Sequence, residues 1–97
     1  MMKSSLYITF CLVLNFSFGQ KLLIPMDQTQ TDHLKAYGIA YWVLKQDQNV
    51  DWLLNFRGGS FMINHDKSNE LELKLRGIYF EFLNAGLLTE IFATIEE

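Results

Sequence analysis

LLIPMDQTQTDHLKAYGIAYWVLKQDQNVDWLLNF, residues 22–56, decides how the chain is read. Leu22 to Met26 is a short, continuously apolar run that ends in Asp27, the pattern of a strand buried on both faces. Pro25 has no ladder donor, so pairing is expected to loosen there. Asp27, Thr29 and Thr31 are competent N-caps, and helix is expected from about Thr31 to Gln46. Leu34, Tyr37, Tyr41 and Leu44 line one face of it, with Ala36, Ala40 and Val43 beside them. Ile39 and Trp42 widen the apolar arc, which predicts cover on more than one side. After a polar turn at Gln46–Asn49, Val50 to Phe56 reads as a second strand centred on Trp52, Leu53 and Leu54.

Arg57-Gly58-Gly59-Ser60 breaks that strand, and the short apolar stretch Phe61-Met62-Ile63 has no assignable element. Asp66 to Arg76 carries a strand period in Leu71, Leu73 and Leu75 and a helical one in Leu71, Leu75 and Ile78. Helix is the better reading, with Ser68 as N-cap and Gly77 just past the end. Ile78 to Leu83 reads as a third strand, Asn84 to Gly86 as a turn and Leu87 to Glu96 as a last helix. The order β-α-β-α-β-α predicts an α/β fold: a parallel three-stranded sheet with right-handed crossovers, half of a doubly wound, Rossmann-like domain. In that architecture sites form beyond the carboxyl ends of the strands, here Pro25–Thr31, Arg57–Ser60 and Asn84–Gly86.

Upstream lies MMKSSLYITFCLVLNFSFGQ. Lys3 supplies a positive n-region, Leu6 to Leu14 an apolar h-region, and Ser17 and Gly19 a small-x-small cleavage site. The apolar run is shorter than the about 20 residues that span a bilayer. Residues 1–19 therefore read as a cleavable signal peptide and residues 20–97 as an exported α/β module, periplasmic or secreted, with no stable membrane anchor. Gln20 at the new N-terminus would be able to cyclise to pyroglutamate. The single cysteine, Cys11, falls within the signal, and the bulky Phe10 before it argues against lipidation. The module thus has no disulfide and no thiolate of its own.

Cleavage removes Lys3 and no acid, so the formal charge moves from −3 to −4. With no basic stripe, nucleic acid and anionic membrane are not expected partners. A module this small buries only about 60% of its chain's surface. The helical spacing of Leu88, Ile91, Phe92 and Ile95 runs to Glu96-Glu97 without a cap. Both features predict the front end of a longer chain, whose remainder would be the module's first partner.

Two polar rims are candidate sites. In PMDQTQTDH, Asp27 is placed to orient a hydroxyl or amine, Gln30 to hydrogen-bond, and His33 to move a proton near neutral pH. The structural alternative is helix capping. In RGGS, Gly58 and Gly59 let backbone N–H groups approach an anion, Ser60 adds a hydroxyl, and Arg57 supplies charge and a bidentate fork. The structural alternative is a strand-to-helix turn. If the first two strands were parallel neighbours, their ends would lie about 5 Å apart, bringing Asp27 and Arg57 within reach of one small anionic or carboxylate ligand. His65-Asp66 lacks further ligands at metal spacing, and neither a phosphate loop nor a nucleophile elbow is present, so no metal or cofactor is expected. No catalytic residue can be assigned.

The run from Leu22 to Phe61, which carries the patterns PMD-x-x-Q-T-x-H-L-K-A-Y-G as PMDQTQTDHLKAYG and N-[FY]-R-G-G-S as NFRGGS, resembles the front of a family of exported bacterial proteins labelled asparagine synthetase B. The likeness continues loosely through RGIYFE. It implies a longer protein with a glutamine-amidotransferase-type α/β domain beyond this module. The N-terminal cysteine and S-G-G-x-D-S loop of glutamine-hydrolysing asparagine synthetases are not in the chain. Two functions follow as expectations: an amidotransferase-like enzyme fragment with Asp27, Gln30, His33 and residues 57–60 at its ligand edge, or a non-catalytic interaction module.

Overall fold

The computed structural model describes residues 20–96, so the signal-peptide reading of residues 1–19 lies outside the described residues. The elements are β1 (Lys21–Ile24), α1 (His33–Lys45), β2 (Asp51–Leu53), β3 (Ser60–Asn64), α2 (Lys67–Arg76), β4 (Glu81–Leu83) and α3 (Ala85–Glu96). Among the described residues no helix is long and apolar enough to cross a membrane.

The sheet is not the parallel, Rossmann-like one expected from the sequence. The four strands form one antiparallel sheet in the order β2-β3-β1-β4. Phe61-Met62-Ile63, unassigned in the sequence, is the middle of β3. It returns beside β2 as a hairpin and separates β2 from β1 by one strand. The backbone of Arg57, Gly58 and Gly59 makes the return, with φ of 46°, 81° and 90°. Three consecutive left-handed residues turn the chain back where the sequence suggested passage into a helix.

β1 and β2 now point the same way with β3 between them, and β3 and β4 point the same way with β1 between them. Two β-α-β units are interleaved, which is the split, ferredoxin-like connectivity β-α-β-β-α-β. α3 is added after β4.

Both faces of the sheet are covered. Leu22, Ile24, Phe61 and Ile63 pack against Ala36, Ile39 and Val43 of α1 and Leu73 of α2. Leu23, Leu53, Met62 and Leu83 point the other way, onto Ile91 of α3. The continuous apolar run of β1 is the consequence. A central antiparallel strand between two helical layers needs apolar residues at successive positions just as a parallel one does.

Local signals set the helix ends. Asp32 caps α1, its side chain accepting from Lys35 N, and Asp66 caps α2, accepting from Asn69 N. The capping residues are thus Asp32 and Asp66, where the sequence pointed to Asp27, Thr29 or Thr31 and to Ser68. Gly77 closes α2 in the left-handed conformation. The buried face of α1 is Ala36, Ile39, Ala40 and Val43. Leu34, Tyr37, Tyr41 and Leu44 stand on the exposed side, Leu34 at 82% exposure. The cover expected for that face is not provided by the described residues.

Candidate functional site

One edge of the sheet gathers most of the polar residues singled out in the sequence. It is the edge where β1 and β2 end and β3 and β4 begin. Leu23 pairs with Glu81 and Ile24 with Phe61, so the segment after β1, the β2–β3 turn and the start of β4 meet there. Met26 N donates to the Arg57 carbonyl at 3.1 Å, tying the turn to the segment that carries Asp27.

Arg57 is the centre. Its Nε donates to Asp27 Oδ2 at 2.8 Å, its Nη1 to both oxygens of Glu81 at 2.8 and 2.9 Å, and its Nη2 to Thr29 Oγ1 at 2.9 Å. Thr29 turns its own hydroxyl and its N–H onto Asp27 Oδ1. Tyr79 OH donates to Glu81 Oε2 at 2.9 Å. The Arg57 and Asp27 side chains are 27% and 32% exposed, so the network lies at a rim and not in the core. The Arg57 hydrogen bond, helped by Thr29, lowers the Asp27 pKa to about 2. Asp27, and then Glu81, raise the pKa of Arg57 further. The bond to Glu81 raises that of Tyr79.

The other candidates are held by backbone. His33 Nε2 lies 3.0 Å from the carbonyl oxygens of Met26 and Asp27, which only accept, so Nε2 carries a proton. Gln30 is buried, and its amide nitrogen donates to the carbonyls of Pro25 and Tyr79 while its oxygen accepts from Thr31 N and Tyr79 N. It is a clamp between the β1–α1 segment and the chain entering β4. Ser60 Oγ is buried in its own turn, 3.0 Å from Phe56 O and 3.2 Å from Arg57 O. The amides of Gly59 and Ser60 both donate to Phe56 O, so neither points at a ligand. A Cβ on Gly58 would lie 2.6 Å from the Met26 carbonyl oxygen, so the turn needs glycine there to seat against β1.

No protein-family model, curated protein or solved structure matches the chain.

The structure therefore brings Asp27 and Arg57 together, sets His33 on the adjacent backbone, buries Gln30, Gly59 and Ser60, and leaves Gly58 exposed at the turn. Glu81 and Tyr79 were missed. Their signal was the alternation of polar and apolar positions in Tyr79-Phe80-Glu81-Phe82, which puts Tyr79 and Glu81 on one side of an edge strand. A second polar chain lies elsewhere: His65 Nε2 is 2.7 Å from Glu70 Oε1, and Glu70 Oε2 is 2.7 Å from Lys74 Nζ. Lys74, and then His65, lower the Glu70 pKa. Among the described residues no group of three His, Cys, Asp or Glu side chains is gathered to hold a metal.

Proposed function

We propose that this chain is a non-catalytic binding module at the front of an exported protein of the kind it resembles. The observation that carries the proposal is the Arg57 network. A catalytic rim needs a donor, acceptor or nucleophile left open to substrate in a productive geometry. Here the guanidinium is engaged by Asp27, Glu81 and Thr29, Gln30 is saturated by backbone, and the Ser60 hydroxyl is enclosed. These residues hold three chain segments together. Export is supported by the order of Lys3, the apolar run and Ser17-x-Gly19.

The amidotransferase-like reading draws on the convergence of Asp27, His33 and Arg57 at one edge. A glutamine-hydrolysis assay on residues 20–97 tests whether this rim is itself catalytic. Purified protein is expected to release no ammonia from glutamine above the buffer rate. Turnover that disappears in Asp27→Asn while the variant stays folded would overturn the binding-module proposal.

A further inference from the structure

Next to the Arg57 network, between α3 and the sheet, runs a groove of about 260 Å3. Leu23 and Leu83 of the sheet and Leu87 and Ile91 of α3 make its apolar walls. Arg57, Glu81 and Glu90 line its polar side. Leu87, Glu90, Ile91 and Thr94 all line it, and their spacing of i, i+3, i+4 and i+7 puts them on one face of α3. The volume falls a little below the about 300–1,000 Å3 of drug-sized sites, which suits a smaller molecule.

Charge selects among such molecules. Arg57 is the one cation lining the groove, and Asp27 and Glu81 already oppose it. Its donors point at those carboxylates and at Thr29, so an incoming carboxylate would have to displace them. Glu90 adds a further negative charge and has no ion-pair partner among the described residues. Two lining carboxylates, Glu81 and Glu90, against one guanidinium that Asp27 also opposes from outside the lining leave the mouth net negative. An ammonium group is all donor and suits it, with three N–H bonds to place on the Glu90 carboxylate and the one lone pair of Glu81 left open, on Oε1.

We infer that this groove binds a small primary amine with a compact apolar body, its ammonium at Glu90 and Glu81 and its body between α3 and β4. The inference rests on the binding-module proposal, in naming what is bound, and reverses the ligand charge that the sequence suggested from Arg57.

The test is a titration of isotope-labelled protein, followed by amide NMR shifts, with phenethylamine, 2-phenylethanol and 3-phenylpropionate. Phenethylamine is expected to give saturable shifts confined to α3, β4 and the β2–β3 turn, and to bind about ten-fold tighter than the alcohol, the size of one charge-assisted contact. Glu90→Gln, at an exposed helix position, should keep the melting curve and lose that ten-fold preference. Thr94→Trp, which plugs the mouth from an exposed position, should abolish the shifts. The inference is overturned if the carboxylate binds as tightly as the amine, if the amine shows no saturation, or if Glu90→Gln leaves the preference intact. Ammonia release from glutamine would sink the binding-module proposal without touching these shifts, so the two failures are distinguishable.

Discussion

Arg57 Nε donates to Asp27 Oδ2 at 2.8 Å, and the same guanidinium reaches Glu81 from its Nη1. One side chain thereby ties the end of β1, the β2–β3 turn and the start of β4. Arg57 does so from a left-handed backbone, φ 46°, which a non-glycine residue adopts only when its surroundings hold it there.

The Asp27 carboxylate makes this tie sensitive to acid. Its folded pKa is depressed from 3.8 to about 2, chiefly by the Arg57 hydrogen bond. A depressed carboxylate adds stability above its unfolded pKa and loses it as pH falls through the folded one. In urea unfolding, the wild-type advantage over Asp27→Asn should be constant above about pH 5, shrink below it, and be lost as pH falls through about 2. A gap that does not change with pH would show that Asp27 is not held in this way.

Gly58 and Gly77 make a matched pair. Both have positive φ, 81° and 70°, yet a Cβ on Gly58 meets the Met26 carbonyl oxygen at 2.6 Å while one on Gly77 meets nothing within 4 Å. Gly77→Ala should cost about 1 kcal/mol, the left-handed penalty alone. Gly58→Ala should cost about 2 kcal/mol or more, because the turn must also lift from β1. Equal losses in denaturant melts would remove the close approach from the account.

The elements were largely legible, because α1, α2 and α3 each carry helical spacing, β1 is an apolar run, and β2 and β4 lie within short stretches rich in apolar residues between turn residues. The sheet's direction was not. Leu22-Leu23-Ile24 reports burial on both faces, which a parallel sheet and a doubly covered antiparallel one produce alike. The deciding element was β3. Its apolar core is only Phe61-Met62-Ile63, and the hairpin before it depends on a left-handed arginine that sequence rules do not foresee. Asp27 and Arg57 were expected to approach as ends of neighbouring parallel strands. They meet instead because the hairpin places the start of β3 beside the end of β1. The caps were displaced by one or two positions, since Asp32 and Asp66 lie among several residues with equal capping chemistry.

The exposed face of α1 leads to a prediction about association. Leu34, Tyr37, Tyr41 and Leu44 are all exposed on it. Residues 20–97 produced alone should self-associate in sedimentation, and Leu34→Lys with Tyr41→Lys should reduce this. Melting should change by no more than about 0.5 kcal/mol per site, as for surface positions generally. A wild-type chain that stays monomeric at high concentration would contradict the prediction.

Export is checked at the N-terminus. Protein recovered from outside the cytoplasm of its native host should begin at Gln20, as glutamine or as pyroglutamate. Recovery with Met1 intact would refute cleavage.

The claim on which most depends is that Arg57 holds the rim together. A double-mutant cycle between Arg57 and Glu81, measured by chemical denaturation, tests it most directly. Arg57→Ala should cost about 1–2 kcal/mol, above the surface-pair median because three partners lose their donor at a partly buried rim. For a chain of this length that is a fall in melting temperature of about 4–8 °C for each kcal/mol. The coupling between Arg57→Ala and Glu81→Ala should be about 1 kcal/mol. Arg57→Ala within about 0.5 kcal/mol of wild type, with coupling near zero, would contradict the account and return Arg57 to the role of a free ligand-binding residue.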